Sequence, residues 1–204
     1  MAATATALLA LLKAGDEVVC SAAIYGGTLH LIEDLFPRYG IKSRFVPVEE
    51  LREPEKVIGD GTRLLWFESP INPTLRCVDV EAVGRACRAR GVISVVDNTF
   101  ASPINQQPLP LGIDLVMHSV TKYLNGHSDV TAGALCGSGP LMQQVERARR
   151  MDRSRRLLAD LAALQAWLPS GLVAVTDRGL SCGATPLQTF LNPATLDLVG
   201  LATT

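Results

Sequence analysis

The sequence predicts an α/β fold, a mostly parallel sheet sandwiched by helices. Two observations predict it. Short, near-continuous apolar runs alternate with segments of helical spacing over residues 1–150, the pattern of strands buried on both faces. Polar clusters follow directly after several of those runs, where such sheets bind their ligands.

The elements read in order. MAATATALLALLKAGD has the apolar character of a signal peptide's core, but it lacks a basic leader and charge follows at once. It reads as a core helix that starts at residue 1 without a capping residue before it, and a helix opening this way suggests sequence missing upstream. Asp16 to Cys20 is a short strand, and Thr28 to Tyr39 has helical spacing in Leu29, Leu31, Ile32, Leu35 and Phe36. Ser43 to Val46 and Arg63 to Phe67 are strands. Val78 to Arg90 is a helix through Val80, Val83, Ala86 and Cys87, with Gly91 as its stop. Val92 to Val96, Asp114 to Met117 and Ala132 to Cys136 are further strands, and Pro140 to Arg150 a helix. Residues 1–150 form one unit and 151–204 a divergent tail. In the tail, Ser154 to Trp167 places Leu157, Leu158, Leu161 and Leu164 on one helical face. The Pro/Gly/Thr-rich end that follows has no clean period and reads as loosely ordered.

Composition excludes several partners. Nineteen Lys+Arg against twenty Asp+Glu give a net charge of −1, which offers no field for nucleic acid or an anionic membrane. No apolar stretch reaches the roughly 18 residues that span a bilayer. The five cysteines, Cys20, Cys77, Cys87, Cys136 and Cys182, are scattered and lack CxxC spacing. That distribution suits reduced thiols in a cytoplasmic protein, with no disulfide framework and no metal site.

Four polar clusters stand at strand ends. Tyr25-Gly26-Gly27 follows the first strand; Glu68, Ser69, Pro70 and Asn72 follow RLLWF; Asp97-Asn98-Thr99 follows VISVV; Ser119, Thr121 and Lys122 follow DLVMH. Each has a structural reading: an aromatic lid, a rigid proline turn, a turn cap, a solvated lysine. Lys122 is the most telling. A lysine just past a core strand, flanked by small hydroxyls, suits a lysine that holds a carbonyl cofactor as a Schiff base beside a phosphate.

The string DNTFASPINQQPLPLGIDLVMHSVTKYLNGHSDVTAG resembles the cofactor-lysine region of the Cys/Met-metabolism family of pyridoxal-phosphate enzymes, which includes cystathionine γ-lyase and γ-synthase and methionine γ-lyase. LLKAGDEVV, YGGT and ESPINPT match that family in the same order, over about residues 1–150. The resemblance implies the large domain of the type I pyridoxal-phosphate transferase fold, with pyridoxal 5'-phosphate as cofactor and a small sulfur amino acid as substrate. By it Lys122 forms the internal aldimine and then moves protons. Asp97 faces the pyridine nitrogen, Ser119 and Thr121 donate to the phosphate, and Asn72 bonds the phenolic oxygen. Tyr25 stacks on the ring and serves as acid/base at the leaving sulfur, Glu68 matches an acidic position without a set role, and Met1 with Ala2 starts a helix that cradles the phosphate.

The chain departs from the family pattern twice. The N-terminal arm is missing, and beyond about 150 the resemblance fades, so the small domain with its carboxylate-binding arginine is not found. Arg178-Gly179-Leu180 is only faintly like the family's RGL. The expectation is a truncated gene product; the family homotetramer relies partly on the arm, and the sequence does not reveal the oligomeric state of this chain. Gly27, where methionine γ-lyases typically carry cysteine, and LNGHSDVTAG favour C–S chemistry at the γ carbon of cystathionine or a homoserine derivative. Lyase and synthase share their opening chemistry and stay unseparated. The alternative is an inactive fragment that keeps only the cofactor-domain fold; an aminotransferase relative is disfavoured by the YGGT and SPINP loops.

Overall fold

The computed structural model describes residues 1–150 and, beyond them, residues 175–176, 179–182 and 185–186. The helix expected over Ser154–Trp167 lies outside the described residues, as does most of the tail. Valine- and leucine-rich runs cannot leave their backbone groups unpaired inside a core, so they join in one six-stranded sheet. Its strands are β1 (Glu17–Ser21), β2 (Lys42–Val46), β3 (Thr62–Glu68), β4 (Ile93–Asp97), β5 (Leu115–Ser119) and β6 (Gly133–Gly137). The order is β2-β1-β3-β4-β5-β6, parallel throughout except that β6 runs antiparallel to β5. The chain leaves β1 toward β2 on one side and returns to β3 on the other. That reversal opens a crevice at the carboxyl ends of β1 and β3.

Alternation along each strand builds two cores. Val18, Cys20, Leu64, Trp66, Val95, Leu115 and Met117 face one side, where α1 (Ala2–Leu11) and α6 (Gly139–Arg150) cover them. Val19, Leu65, Phe67, Val96 and Val116 face the other, packed by Val80, Val83, Ala86 and Cys87 of α4 (Val80–Arg90). Most of these strand residues are fully buried, and each large side chain so buried contributes about 1.5–3 kcal/mol. The opening segment is the core helix expected from its sequence, with Ala7 and Leu8 fully buried.

The elements follow local chemistry. Asp79 caps α4 by accepting from the Ala82 N–H at 2.9 Å, and Gly91 ends it at φ 65°, a left-handed conformation that favours glycine. The expected helix over Thr28–Tyr39 forms in three pieces: α2 (Gly26–His30), a π turn (Leu31–Leu35) and a 3-10 turn (Phe36–Tyr39). Pro37 has no N–H to donate and its ring crowds the preceding turn, so a uniform α-helical ladder does not run through it. Two short helices went unread in the sequence, α3 (Pro54–Val57) and α5 (Ser102–Asn105), along with a 3-10 turn at Val48–Arg52. They are too short to show a period. β5 starts at Leu115 because Asp114 turns its carboxylate back, accepting from the backbone and hydroxyl of Ser94 at 2.9 and 2.8 Å. Past residue 150, β7 (Val175–Thr176), β8 (Gly179–Cys182) and β9 (Thr185–Pro186) pair antiparallel. Among the described residues no helix is long and apolar enough to cross a membrane.

Candidate active site

Parallel register sets the carboxyl ends of the strands side by side. Glu68, the last residue of β3, pairs with Asp97, the last of β4, and Asp97 pairs with Met117, two residues before β5 ends at Ser119. Two carboxylates, each 6% exposed, therefore lie next to each other at one edge of the sheet.

Glu68 joins two loops. Its Oε2 accepts from the Tyr25 N–H and its Oε1 from the Asn72 N–H, both at 3.0 Å. The role left open for Glu68 in the sequence thus has a geometric content: it holds the YGGT loop against the SPINP loop. Burial raises its pKa; the N–H of Asn72 opposes that shift, Asp97 adds to it, and the N–H of Tyr25 opposes it.

Asp97 receives two bonds on Oδ1, from the Thr99 N–H at 3.0 Å and the Thr99 hydroxyl at 2.5 Å. Burial raises its pKa first of all, against those two bonds and the charge of the Met1 amino group. The Met1 ammonium is itself pushed to lower pKa by burial and pulled back by Asp97. Thr99, to which the sequence assigns no role, accepts from the Ser119 N–H at 2.8 Å through the same hydroxyl. One oxygen thereby links the end of β4 to the end of β5. The signal for it was present in the sequence as a hydroxyl two residues past Asp97.

Lys122 lies in the turn after β5, exposed to solvent. Its N–H donates to the Ser119 carbonyl at 3.1 Å and its carbonyl accepts from the Gly126 N–H at 2.9 Å. The turn is also held by Tyr123, whose ring stands edge-on to Phe100 at 5.7 Å. Ser119 is half-buried at the strand end. Thr121 is held differently: its hydroxyl donates to the Ala132 carbonyl at 3.2 Å and accepts from the Ala132 N–H at 2.9 Å. A bond from that hydroxyl to a phosphate has to replace the one to Ala132.

Tyr25 is 53% exposed, with its ring folded over Gly27. A β carbon at Gly27 would stand 2.6 Å from the Tyr25 Cε1 and 3.0 Å from the Met1 Sδ. Gly27 therefore packs against both the Tyr25 ring and the Met1 side chain, and the charge of the Met1 amino group acts on Asp97. Asn72 is joined to this group through its backbone, and its side chain is exposed.

The residues fit pyridoxal 5'-phosphate. Both Thr99 bonds fall on Oδ1 of Asp97, which leaves Oδ2 for a protonated ring nitrogen, the positive partner a buried carboxylate requires. The N-terminus of α1 has neither a side-chain cap nor an acidic residue in its first turn, so its leading N–H groups are suited to a phosphate.

Known proteins agree. The family described as Cys/Met metabolism PLP-dependent enzyme matches residues 1–176, extending past the boundary near 150 that the motifs mark. A probable cystathionine gamma-synthase of Herpetosiphon aurantiacus is 44% identical over 65% of this chain and 42% of its own length. An L-methionine gamma-lyase of Pseudomonas putida is 38% identical over 78% of this chain and 40% of its own. The crystal structure of cystathionine gamma-lyase from Lactobacillus plantarum, complexed with L-serine, superposes with a TM-score of 0.68 at 35% identity, covering 72% of this chain and 39% of that one. The chain spans about two fifths of the length of these relatives. Sheet order, strand-end chemistry and a family match over most of the sequence agree: the chain belongs to the Cys/Met metabolism family of PLP-dependent enzymes.

Proposed function

We propose that the chain carries the cofactor-binding half of a trans-sulfuration enzyme that acts at the γ carbon of cystathionine or a related homoserine derivative. The observation that carries this is the meeting of Glu68, Asp97, Ser119 and the Tyr25 loop at one sheet edge, with Lys122 three residues beyond it. Bound pyridoxal phosphate supplies an electron sink for charge that develops on the substrate. Lys122 would hold the cofactor covalently, and its free amine would move protons at the substrate. Asp97 keeps the ring nitrogen protonated. Ser119, Thr121 and the α1 N-terminus at Met1 orient the phosphate; Asn72 bonds the phenolic oxygen. Tyr25 covers the ring and exchanges a proton at the leaving sulfur.

In this reading residues 1–150 are the cofactor-binding domain and 151–204 a divergent tail, the substrate is a small sulfur amino acid, and the location is cytoplasmic. Gly27 supports the cystathionine branch over methionine γ-lyase, whose members typically carry cysteine at this position.

The test begins with pyridoxal phosphate added to the purified chain. A visible absorbance band is expected, and borohydride should fix the cofactor on Lys122. No band, or a band that survives in Lys122→Ala, sinks the cofactor assignment. Incubation with cystathionine then distinguishes enzyme from inert fragment: release of cysteine, oxoacid and ammonia is expected, and a band without turnover refutes activity of this chain.

A further inference from the structure

Glu68 is a buried carboxylate to which the proposed chemistry gives no step. Among the described residues the one charge that acts on it is Asp97, of its own sign. A buried charge without a counter-ion is costly. A carboxylate at this position therefore needs a reason that a neutral side chain does not meet.

That reason lies in its two donors. They come from different loops and reach different oxygens, the Tyr25 N–H on Oε2 and the Asn72 N–H on Oε1, both at 3.0 Å. A glutamine has one accepting oxygen, and its other terminal group donates, so it serves one loop and repels the other. Each loop is also closed on its own side of the bond. The Tyr25 carbonyl accepts from the N–H groups of Thr28 and Leu29 at 2.9 and 3.1 Å, which starts α2. Beside Asn72, the buried Ile71 donates its N–H to the Arg76 carbonyl at 2.9 Å and accepts from the Leu75 N–H at 2.7 Å. The backbones of Tyr25 and Asn72 are thus held while their side chains stay exposed.

We infer that Glu68 is a positioning residue whose two carboxylate oxygens set the spacing of Tyr25 and Asn72 before the cofactor arrives. The inference rests on the roles proposed for those residues, Tyr25 covering the ring and Asn72 bonding the phenolic oxygen, and adds the group that fixes them relative to each other. Glu68 touches neither cofactor nor substrate; it acts through two backbones. Loops ordered in advance spare binding the entropy of ordering them. Both loops hang from the last residue of β3, an interior strand of the sheet. A site tied to a strand keeps its geometry better than one carried on loops alone.

The test compares the full chain with its Glu68→Gln variant, using pyridoxal phosphate as the probe. In the cofactor-free parent the Tyr25 and Asn72 amides should already be protected from hydrogen exchange, and the cofactor should add little to that protection. In Glu68→Gln one of the two amides should exchange faster, and borohydride should still fix the cofactor on Lys122. Cofactor affinity should fall about tenfold or more, and the visible circular dichroism of each bound cofactor should weaken. A merely structural Glu68 would lower the denaturation midpoint and leave affinity and dichroism as in the parent; that result overturns the inference. Amides that gain protection only when cofactor is added also overturn it, and this reading of the parent alone decides the matter if Glu68→Gln does not fold. A parent that binds no cofactor removes the cofactor assignment and this inference together. A variant that binds as the parent does removes only the positioning role of Glu68.

Discussion

Burial raises the pKa of Asp97 even though Thr99 donates to it twice, so the fold holds this carboxylate at a cost. The raised pKa means that the fold favours the charged form less than water does. Asp97→Asn keeps an oxygen for Thr99 and removes that charge. Protein stripped of cofactor should gain about 1 kcal/mol of stability in this variant, as destabilised functional positions commonly do when neutralised. Cofactor should still be retained, while turnover falls about a hundredfold or more; equal turnover would refute the role given to Asp97. Gly27 makes a steric statement at the same scale. A methyl group there meets the Tyr25 ring at 2.6 Å, and that ring, 53% exposed, can swing into water. Gly27→Ala should therefore displace the Tyr25 ring resonances and cost less than about 1 kcal/mol of stability. Unshifted resonances would show that the ring does not rest on Gly27.

Element by element, the packing of α4 is where a small change has the least room. A β carbon on Gly84 would meet the Gly112 carbonyl carbon at 2.8 Å and the Leu111 oxygen at 3.0 Å. Both are backbone atoms of the loop that leads into β5, so neither can rotate away as a flexible side chain does. Gly84→Ala should destabilise the chain by about 1–3 kcal/mol, read as a lower denaturation midpoint at unchanged slope. A neutral result would mean that the loop yields. The strands themselves were legible, since RLLWF and VISVV are runs that only a two-sided core accommodates. α3 and α5 were not, because four residues carry no period. The helix after Tyr25 was found as helix, but its division into three hydrogen-bonding patterns around Pro37 was not.

Across the whole molecule, the buried imidazole of His118 couples stability to pH. Its folded pKa is lowered to about 4 from 6.5. Above about pH 6.5 the ring is neutral folded or unfolded and contributes no slope. As pH falls from there toward 4, only the unfolded chain takes up the proton, so stability is lost through that window. The loss reaches about 3 kcal/mol at most. His118→Gln should flatten this part of the stability–pH curve, measured by denaturant titration; an unchanged slope would place the proton uptake elsewhere.

Lys122, Asp97, Tyr25 and Ser119 could be placed at strand ends from the amino-acid order alone. A run of apolar residues has to be buried and the polar residue that follows it has to emerge at the sheet's edge. Partner choice could not be read that way. Tyr25 and Glu68 are 43 residues apart, and the bond between them exists because β1 and β3 are neighbours in the sheet. The link from Thr99 to Ser119 and the engagement of Thr121 with Ala132 likewise depend on register between strands. Local composition fixes which residues surface at a strand's end; only the packed sheet settles which of them meet, because hydrogen bonds are short-ranged and register is a property of pairs of strands.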